Sequence, residues 1–378
     1  MKIKLLFFIE SLEYGGAEKS LISLLHHLDY SKYDVELCAL KEEGALKSLL
    51  PQEISFTALR LNFDLFGKLR FRFYKKFLSK RHNAQYFWKA FSSSIPVYSK
   101  TYDLAIGWGQ GFATYYVAEK VNAKKKIAWI NTNYDEAGYI YSHDTPLYAK
   151  YDKINGVSPF AVEVMAKYIG KDKLSQITNI IDEQEVKQKS KLSCALSFNN
   201  ELFNIVSVGR LAKPKAFELS IKAAKILKNR NVSFHWYIVG DGSERAFLEN
   251  TRKQLSLENE ITFTGFQSNP HAFIQQADLY VQTSRFEGLG RTLIEAAILK
   301  KPIVTTDFET AFTLVDQNKT GIITAKDPQV IAEAIYKLYQ EKDTYAQMVE
   351  NLESKTRISA ENVVAEFDKV IEELLTSN

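Results

Sequence analysis

Short apolar runs alternate with longer stretches of helical period from the start of the chain. Ile3 to Ile9 reads as a strand, Gly16 to Leu28 as a helix, and Asp34 to Leu40 and Ile54 to Leu61 as further strands. The pattern resumes with Tyr102 to Gly107, Lys126 to Ile130, Ile154 to Val157 and Ile177 to Ile181, each beside Gly, Pro, Asn or Asp able to make a turn. Residues 183–200 are polar without a sustained period and read as a connection that has room for a short helix. A second series follows, with strands at Phe203 to Val208, Ser233 to Val239, Ile261 to Phe263, Ala277 to Gln282, Ile303 to Thr306 and Gly321 to Thr324. Helical patterns lie between them at Phe217 to Lys228, Glu244 to Leu255 and Arg291 to Leu299, and two more close the chain at Pro328 to Gln340 and Ala360 to Leu375. Strands alternating with helices predict βαβ units and parallel sheets. The expected architecture is α/β, with two doubly wound, Rossmann-like domains facing a cleft, residues 1–182 and 201–355. Residues 356–378 are expected to form a C-terminal helix that crosses back to the first domain.

Composition supports this division. At 378 residues the chain exceeds one ordinary core, and 46% hydrophobic with 25% charged residues is the balance of a globular protein. The apolar run Leu5 to Ile9 stops at Glu10, short of a membrane span or a secretory leader, so a cytoplasmic chain is expected. Only Cys38 and Cys194 occur, which indicates neither a disulfide framework nor a zinc cluster. A net charge of +4 does not by itself point to nucleic acid, and no nucleic-acid motif accompanies it.

Candidate chemistry concentrates in the second half. In QTSRFEGLGRTLIE, Gln282 to Glu295, a strand ends, a glycine loop follows and a helix begins. Gly288 and Gly290, with Leu289 between them, let backbone approach a ligand, and the free N–H groups near Arg291 and Thr292 suit an anion such as phosphate. Glu287 can accept from sugar hydroxyls and Glu295 from a ribose diol. Either acid alone reads as a solvated surface group, but Ile294, Ala296 and Ala297 surround Glu295 with apolar neighbours, and a carboxylate there needs partners. In VSVGRLAKPK, Gly209 follows a strand and is followed by Arg210 and Lys215, cations placed to stabilise a departing diphosphate. Lys213 reads as their solvated neighbour. Gly240, Gly265 and Phe266 also lie at strand ends that line one crevice in a doubly wound sheet.

In the first half, Gly15 and Gly16 follow a strand and open a helix, offering either a second phosphate approach or a plain tight turn. Asn131 and Thr132 end another strand as acceptor-side candidates or as turn formers. Between Arg60 and Lys89, Arg70, Arg72, Lys75, Lys76, Lys80 and Arg81 interleave with Phe71, Phe73, Phe77, Phe87 and Trp88, with Asp64 as the lone acid. The stretch suits an anionic membrane surface, or cationic helices whose aromatic face packs on the first domain.

Across these motifs the chain resembles glycosyltransferase family 4, the retaining group with the two-Rossmann GT-B fold. E-G-x-G-x-x-x-x-E is matched by Glu287, Gly288, Gly290 and Glu295, and G-R-L-x-x-x-K by Gly209, Arg210, Leu211 and Lys215. G-G-A-E is matched by Gly15 to Glu18, and an N-x-x-D turn by Asn179 and Asp182. The resemblance implies a metal-independent, cofactor-free hexosyl transfer from a nucleoside-diphosphate sugar, a UDP-sugar favoured, to a glycan acceptor. That acceptor would be lipid-linked, in bacterial polysaccharide assembly, with the protein cytoplasmic or peripheral on the inner face of the membrane. It assigns Glu287 to the donor sugar, Glu295 to the ribose, and Arg210 and Lys215 to the diphosphate. Two positions depart from the family pattern: Ala216 stands where a Gly usually follows the phosphate lysine, and Asn131 stands where a His is frequent. The rival readings are a nucleotide-sugar epimerase or phosphorylase-like enzyme of this fold, and a non-catalytic glycan- or nucleotide-binding scaffold.

Overall fold

The structure, a computed structural model, describes residues 2–13, 15–59, 61, 65–77, 82–354 and 359–376. Arg60, Asp64, Lys80 and Arg81 of the basic stretch, and the expected boundary after residue 355, lie outside these residues. The chain forms two compact units, residues 1–180 with 358–378, and residues 181–357.

The first unit carries β1 (Ile3–Ile9), β2 (Tyr33–Ala39), β3 (Ser55–Ala58), β4 (Thr101–Trp108), β5 (Asn122–Ile130), β6 (Lys153–Gly156) and β7 (Leu174–Gln176). They form one sheet in the order β3-β2-β1-β4-β5-β6-β7, and every pairing is parallel. Leu5 lies opposite Val35 on one side and Leu104 on the other, and all three are buried. A strand covered on both faces reads as an unbroken apolar run, which is why Leu5 to Ile9 does not alternate. The C-terminal helix Ala360–Thr376 belongs to this unit and buries Val363, Phe367, Val370, Ile371 and Leu374, the spacing of one helical face. Phe367 stacks on Phe7 with ring centres 6.2 Å apart, and Asp368 accepts from the Tyr33 hydroxyl at 2.8 Å and pairs with Lys32 at 2.9 Å.

The second unit carries β8 (Phe203–Val208), β9 (Phe234–Val239), β10 (Ile261–Gly265), β11 (Leu279–Gln282), β12 (Ile303–Thr306) and β13 (Gly321–Thr324). Its sheet order is β10-β9-β8-β11-β12-β13, again all parallel. The chain therefore winds outward from β8 in one direction and from β11 in the other. At such a switch point the loops after two adjacent strands diverge and leave a ligand crevice between them. Here those are the loops after β8 and β11.

Three findings refine where the units divide and where the sheets end. The polar stretch 183–200 opens with helix Glu183–Ser190, capped by Asp182, whose Oδ1 accepts from the Gln184 and Glu185 amides. Its Val186 packs with Val206, Tyr237 and Phe273, so the helix belongs to the second unit, and the division falls at residues 180–181 rather than within a free connection. One apolar anchor in eight residues leaves no period to read. Helix Lys342–Ser354 lies outside the expected pattern, and its buried residues are only Met348 and Leu352. Finally, the last strand of the first sheet is Leu174–Gln176, not Ile177 to Ile181. Asn155 accepts from the Ile177 amide at 2.7 Å and donates to its carbonyl at 3.0 Å, so a side chain takes the place of a ladder pair and ends the strand.

The basic aromatic stretch divides. In helix Leu65–Phe77, Phe71 meets Phe87 and Phe91 of helix Asn83–Phe91 at ring distances of 6.1 and 6.2 Å, and Lys89 lies over the Tyr74 ring. Trp88 is buried, whereas Phe66, Phe73 and Phe77 are exposed. Among the described residues no helix is long and apolar enough to cross a membrane.

Candidate active site

The loop after β8 is fixed by close backbone packing. A Cβ on Gly240 would lie 2.0 Å from the Gly209 carbonyl oxygen, and Gly240 has φ +143°, so no other residue fits there. Gly209 donates to the Val239 carbonyl at 3.0 Å, Leu211 to Asp241 at 2.9 Å, and Gly240 to Gly265 at 2.9 Å. These bonds zip the ends of β8, β9 and β10 together. Gly209, Gly240 and Gly265 thus shape the loops on this side of the switch point, and Phe266 stands exposed beside them.

Beyond Arg210 the chain makes a single tight turn at Lys213–Lys215 and passes through Ala216 in the left-handed region, φ 49° and ψ 40°, before helix Phe217–Asn229. This is the position at which the resemblance expects Gly, and the backbone supplies the reason: a Cβ is disfavoured in that conformation. The surroundings hold the turn in place. Thr283 donates toward the Lys215 and Ala216 carbonyls at 3.2 and 3.1 Å. The Arg285 amide donates to the Pro214 carbonyl at 2.7 Å, and its guanidinium reaches the Lys213 carbonyl at 2.5 Å and pairs with Glu218. The lysine turn and the loop after β11 are therefore one mechanical unit.

Glu287 lies in that second loop. Its Oε1 accepts from Lys215 Nζ at 2.5 Å, Ser284 Oγ at 2.6 Å and Gln282 Nε2 at 2.8 Å. Three donors on one oxygen fix the carboxylate's orientation, and Oε2 has no partner among the described residues. Gln282 is itself oriented, since its Oε1 accepts from Thr292 Oγ1 at 2.8 Å. Thr292 sits in the first turn of helix Arg291–Ile298, which starts from Gly290 at φ +76°, with Gly288 buried and Leu289 half-buried just before it.

One turn further on, Glu295 is 2% exposed. Arg291 Nε lies 2.9 Å from its Oε1, and His271 Nε2 lies 3.6 Å from the same oxygen. Neither ring nitrogen of the buried His271 has a hydrogen-bond partner among the described residues. The structure thus brings Lys215, Glu287, Thr292, Arg291 and Glu295 into one connected group through Gln282 and helix Arg291–Ile298. Arg210 is exposed and makes no ion pair among the described residues.

Gln282, Thr283, Ser284, Arg285 and His271 belong to this group although no motif in the sequence marks them. Three buried polar residues ending an otherwise apolar strand, LYVQTS, were the available signal, because burying amides and hydroxyls requires partners.

In the first unit, helix Gly16–His27 begins at Gly15 without a side-chain cap, and a Cβ on Gly15 would strike the Glu18 carboxylate at 2.1 Å. Gly15 has extended backbone and the Glu18 carboxylate is the end of a flexible side chain, so neither φ nor space demands glycine there, and Gly16 is exposed. Asn131 donates its amide to Gln110 Oε1 at 3.1 Å and accepts from Asn179 Nδ2 at 3.1 Å, while its own Nδ2 is buried without a partner among the described residues. Asn179 in turn accepts from the Trp129 indole at 3.4 Å. Thr132 follows half-buried. Among the described residues no group of three or more His, Cys, Asp and Glu stands close enough together to hold a metal ion.

Comparison with known proteins bears on both sequence and fold. Residues 188–355 match the family model described as glycosyl transferases group 1. The chain is 31% identical over 151 residues to the alpha-D-kanosaminyltransferase of Streptomyces kanamyceticus, 39% of each protein. It is 30% identical over 203 residues to the N-acetylgalactosamine-N,N'-diacetylbacillosaminyl-diphospho-undecaprenol 4-alpha-N-acetylgalactosaminyltransferase of Campylobacter jejuni, 53% of this chain and 52% of that one. These matches span about two fifths to one half of the relatives' length. The crystal structure of Anabaena HepE in complex with UDP-glucose superposes with a TM-score of 0.74 at 19% identity, covering 98% of this chain and 100% of that one. At that identity the likeness establishes the fold, which is GT-B: two Rossmann-like units, each with a parallel sheet.

Proposed function

We propose that this chain, whose residues 188–355 match the group 1 glycosyl transferase model, is a retaining glycosyltransferase that moves a sugar from a UDP-sugar to a glycan acceptor. The observation that carries the reading is the Lys215–Glu287 pair at the second unit's switch point, cross-braced by Gln282 and Ser284. Lys215 and Arg210 supply positive charge for the diphosphate, and the N-terminal turn of helix Arg291–Ile298 supplies amide donors for it. Glu287 accepts from sugar hydroxyls, and Glu295 from the ribose. In the transfer, the bond from the anomeric carbon to the diphosphate oxygen breaks and a bond to the acceptor oxygen forms on the same face. The acceptor proton passes to the departing phosphate oxygen. No protein base is required by this route, which accommodates Asn131 in place of a protonatable side chain.

Cations on the chain itself meet the diphosphate charge, so the reaction is proposed to need neither metal nor cofactor. The choice of UDP follows the UDP-glucose complex of Anabaena HepE, and a lipid-linked acceptor follows the diphospho-undecaprenol named in the Campylobacter jejuni relative. The proposed setting is the cytoplasmic face of a membrane, in bacterial polysaccharide or glycoconjugate synthesis. No specific observation favours the epimerase or scaffold readings.

The test is ligand-induced thermal stabilisation against UDP, GDP and ADP sugars with a chelator present, repeated with Glu295→Ala and Arg210→Ala. A ligand bound at about 100 times its dissociation constant stabilises the native state by ~2.7 kcal/mol, a readily measured shift in melting temperature. A shift confined to UDP-sugars and lost in both variants is expected; no shift with any donor would sink the reading. Retention is checked separately by the anomeric configuration of the product.

A further inference from the structure

We infer that helix Leu65–Phe77 is a membrane-docking element whose outward face inserts into an anionic lipid bilayer. The inference rests on the peripheral placement proposed above and gives it a surface. The helix has two apolar faces. Gly67, Phe71 and Tyr74 form the inner one, packed on helix Asn83–Phe91 through Phe87, Phe91 and Lys89. At 3.6 residues per turn, Phe66, Phe73 and Phe77 fall in a second sector, with Leu69 and Leu65 beside them. This sector faces solvent: Phe66 is 75% exposed, Leu65 71%, Phe77 62%, Phe73 56% and Leu69 54%. A helix that only covered its own domain would need one such face, so the second requires an occupant.

Charge identifies the occupant. Arg70 separates the two sectors along one border, Lys68, Arg72 and Lys75 along the other, and Lys76 lies within the outer stripe. The helix contains no acidic residue, and none of these five cations forms an ion pair among the described residues. An aromatic stripe bordered by unpaired Lys and Arg is the arrangement that lies in the plane of a bilayer interface, rings buried among the acyl chains and cations at anionic headgroups. A protein groove of matching shape would have to be both apolar along its floor and acidic on both rims, whereas an anionic bilayer offers that layering everywhere.

The test is co-sedimentation of the full chain with vesicles of phosphatidylcholine alone or mixed with phosphatidylglycerol. The wild type is expected to sediment with the mixed vesicles and to be released by high salt. Each cation is worth about fivefold in partitioning. Arg70→Glu with Arg72→Glu should therefore lower it by roughly 25-fold or more, and Phe66→Ser, Phe73→Ser and Phe77→Ser together by at least about tenfold. All five positions are exposed, and an unchanged melting temperature confirms the fold. The proposal is overturned if the wild type stays in the supernatant, if the variants sediment as the wild type does, or if the chain dimerises without lipid through these aromatics. UDP-sugar thermal shifts on the same variants report on the second unit alone. A donor response without vesicle binding would remove the docking face and leave the transferase reading intact; vesicle binding without a donor response would do the reverse.

Discussion

Both units bury carboxylates, and they use them differently. In the first, Glu36 sits midway along β2 and accepts from Thr57 on β3, Tyr98, Lys100 and Tyr102 at 2.5 to 2.8 Å, while Asp144 accepts from the Tyr115 and Tyr134 hydroxyls. In the second, Glu287 and Glu295 lie just past the end of β11, at the switch point. Four donors drawn from neighbouring parts of the sheet make Glu36 a staple. Glu287 keeps an oxygen without a partner among the described residues, and its main cation, Lys215, comes from a loop that is itself a candidate ligand site. Burial and hydrogen bonding alone do not separate the acids proposed as structural from those proposed as chemical; the proposed distinction rests on position relative to the strand ends.

The largest expected effect divides the two classes directly. Glu287→Gln preserves shape but removes the charge that orients Lys215 and that, on the proposed function, receives sugar hydroxyls, so turnover should fall by about 10²–10³-fold, the size found when one preorganised transition-state contact is lost. Urea unfolding should move little. Near-normal turnover would break the comparison by making Glu287 another staple. Glu36→Gln should behave in the opposite sense. Weakening four bonds to a buried charged group is expected to cost about 2–3 kcal/mol of stability, read as a lower urea midpoint, with turnover of the folded protein unchanged. A fall in turnover at normal stability would remove the distinction from the other side.

Acid sharpens the comparison further. Burial tends to raise the Glu36 carboxyl, but hydrogen bonds from Lys100, Tyr98, Tyr102 and Thr57 outweigh it and hold the group at about 2 against an ordinary 4.5. A depressed carboxyl stabilises the fold fully above its unfolded value, and that contribution is lost as pH falls from about 4.5 towards 2. Asp144 lies the other way: burial raises it despite the tyrosine hydroxyls and Gln85. Its ionisation therefore weakens the fold as pH rises through its shifted range. Denaturant midpoints followed from pH 6 downward should decline less steeply in Glu36→Gln than in the wild type between about pH 4.5 and 2. Parallel curves would mean that Glu36 is not held by these partners.

What the sequence revealed follows from the same physics. The loops after β8 and β11 were legible because glycines and charges at strand ends are few and serve backbone approach or ligand contact. The buried relay was not. Thr283 joins the lysine turn across a sequence separation of 67 residues or more, and nothing local to LYVQTS names its partner. The basic stretch was legible as amphipathic, but which aromatics face inward depended on helix Asn83–Phe91 lying against Phe71 and Tyr74. Helix Glu183–Ser190 was legible only as a short helix without bounds because Val186 alone carries its packing, and Ile177 to Ile181 misled because the Asn155 side chain imitates a neighbouring strand.

The smallest expected effect concerns Ala216, the departure from the family pattern that the structure explains. Its left-handed backbone costs an alanine energy that a glycine would not bear, yet glycine loses more freedom on folding. Ala216 is fully buried, and its carbonyl is held by Thr283, so the turn cannot relax to escape the strain. The strain term should therefore win, and Ala216→Gly is expected to raise stability by about 0.5–1 kcal/mol in urea unfolding. Donor affinity should stay as it was, because Thr283 and Arg285 continue to fix Lys215 from outside the turn. Should the glycine variant instead bind donor more weakly at equal or higher stability, the alanine would be stiffening the lysine turn, and the second unit's site would depend on backbone strain as well as on its side-chain braces.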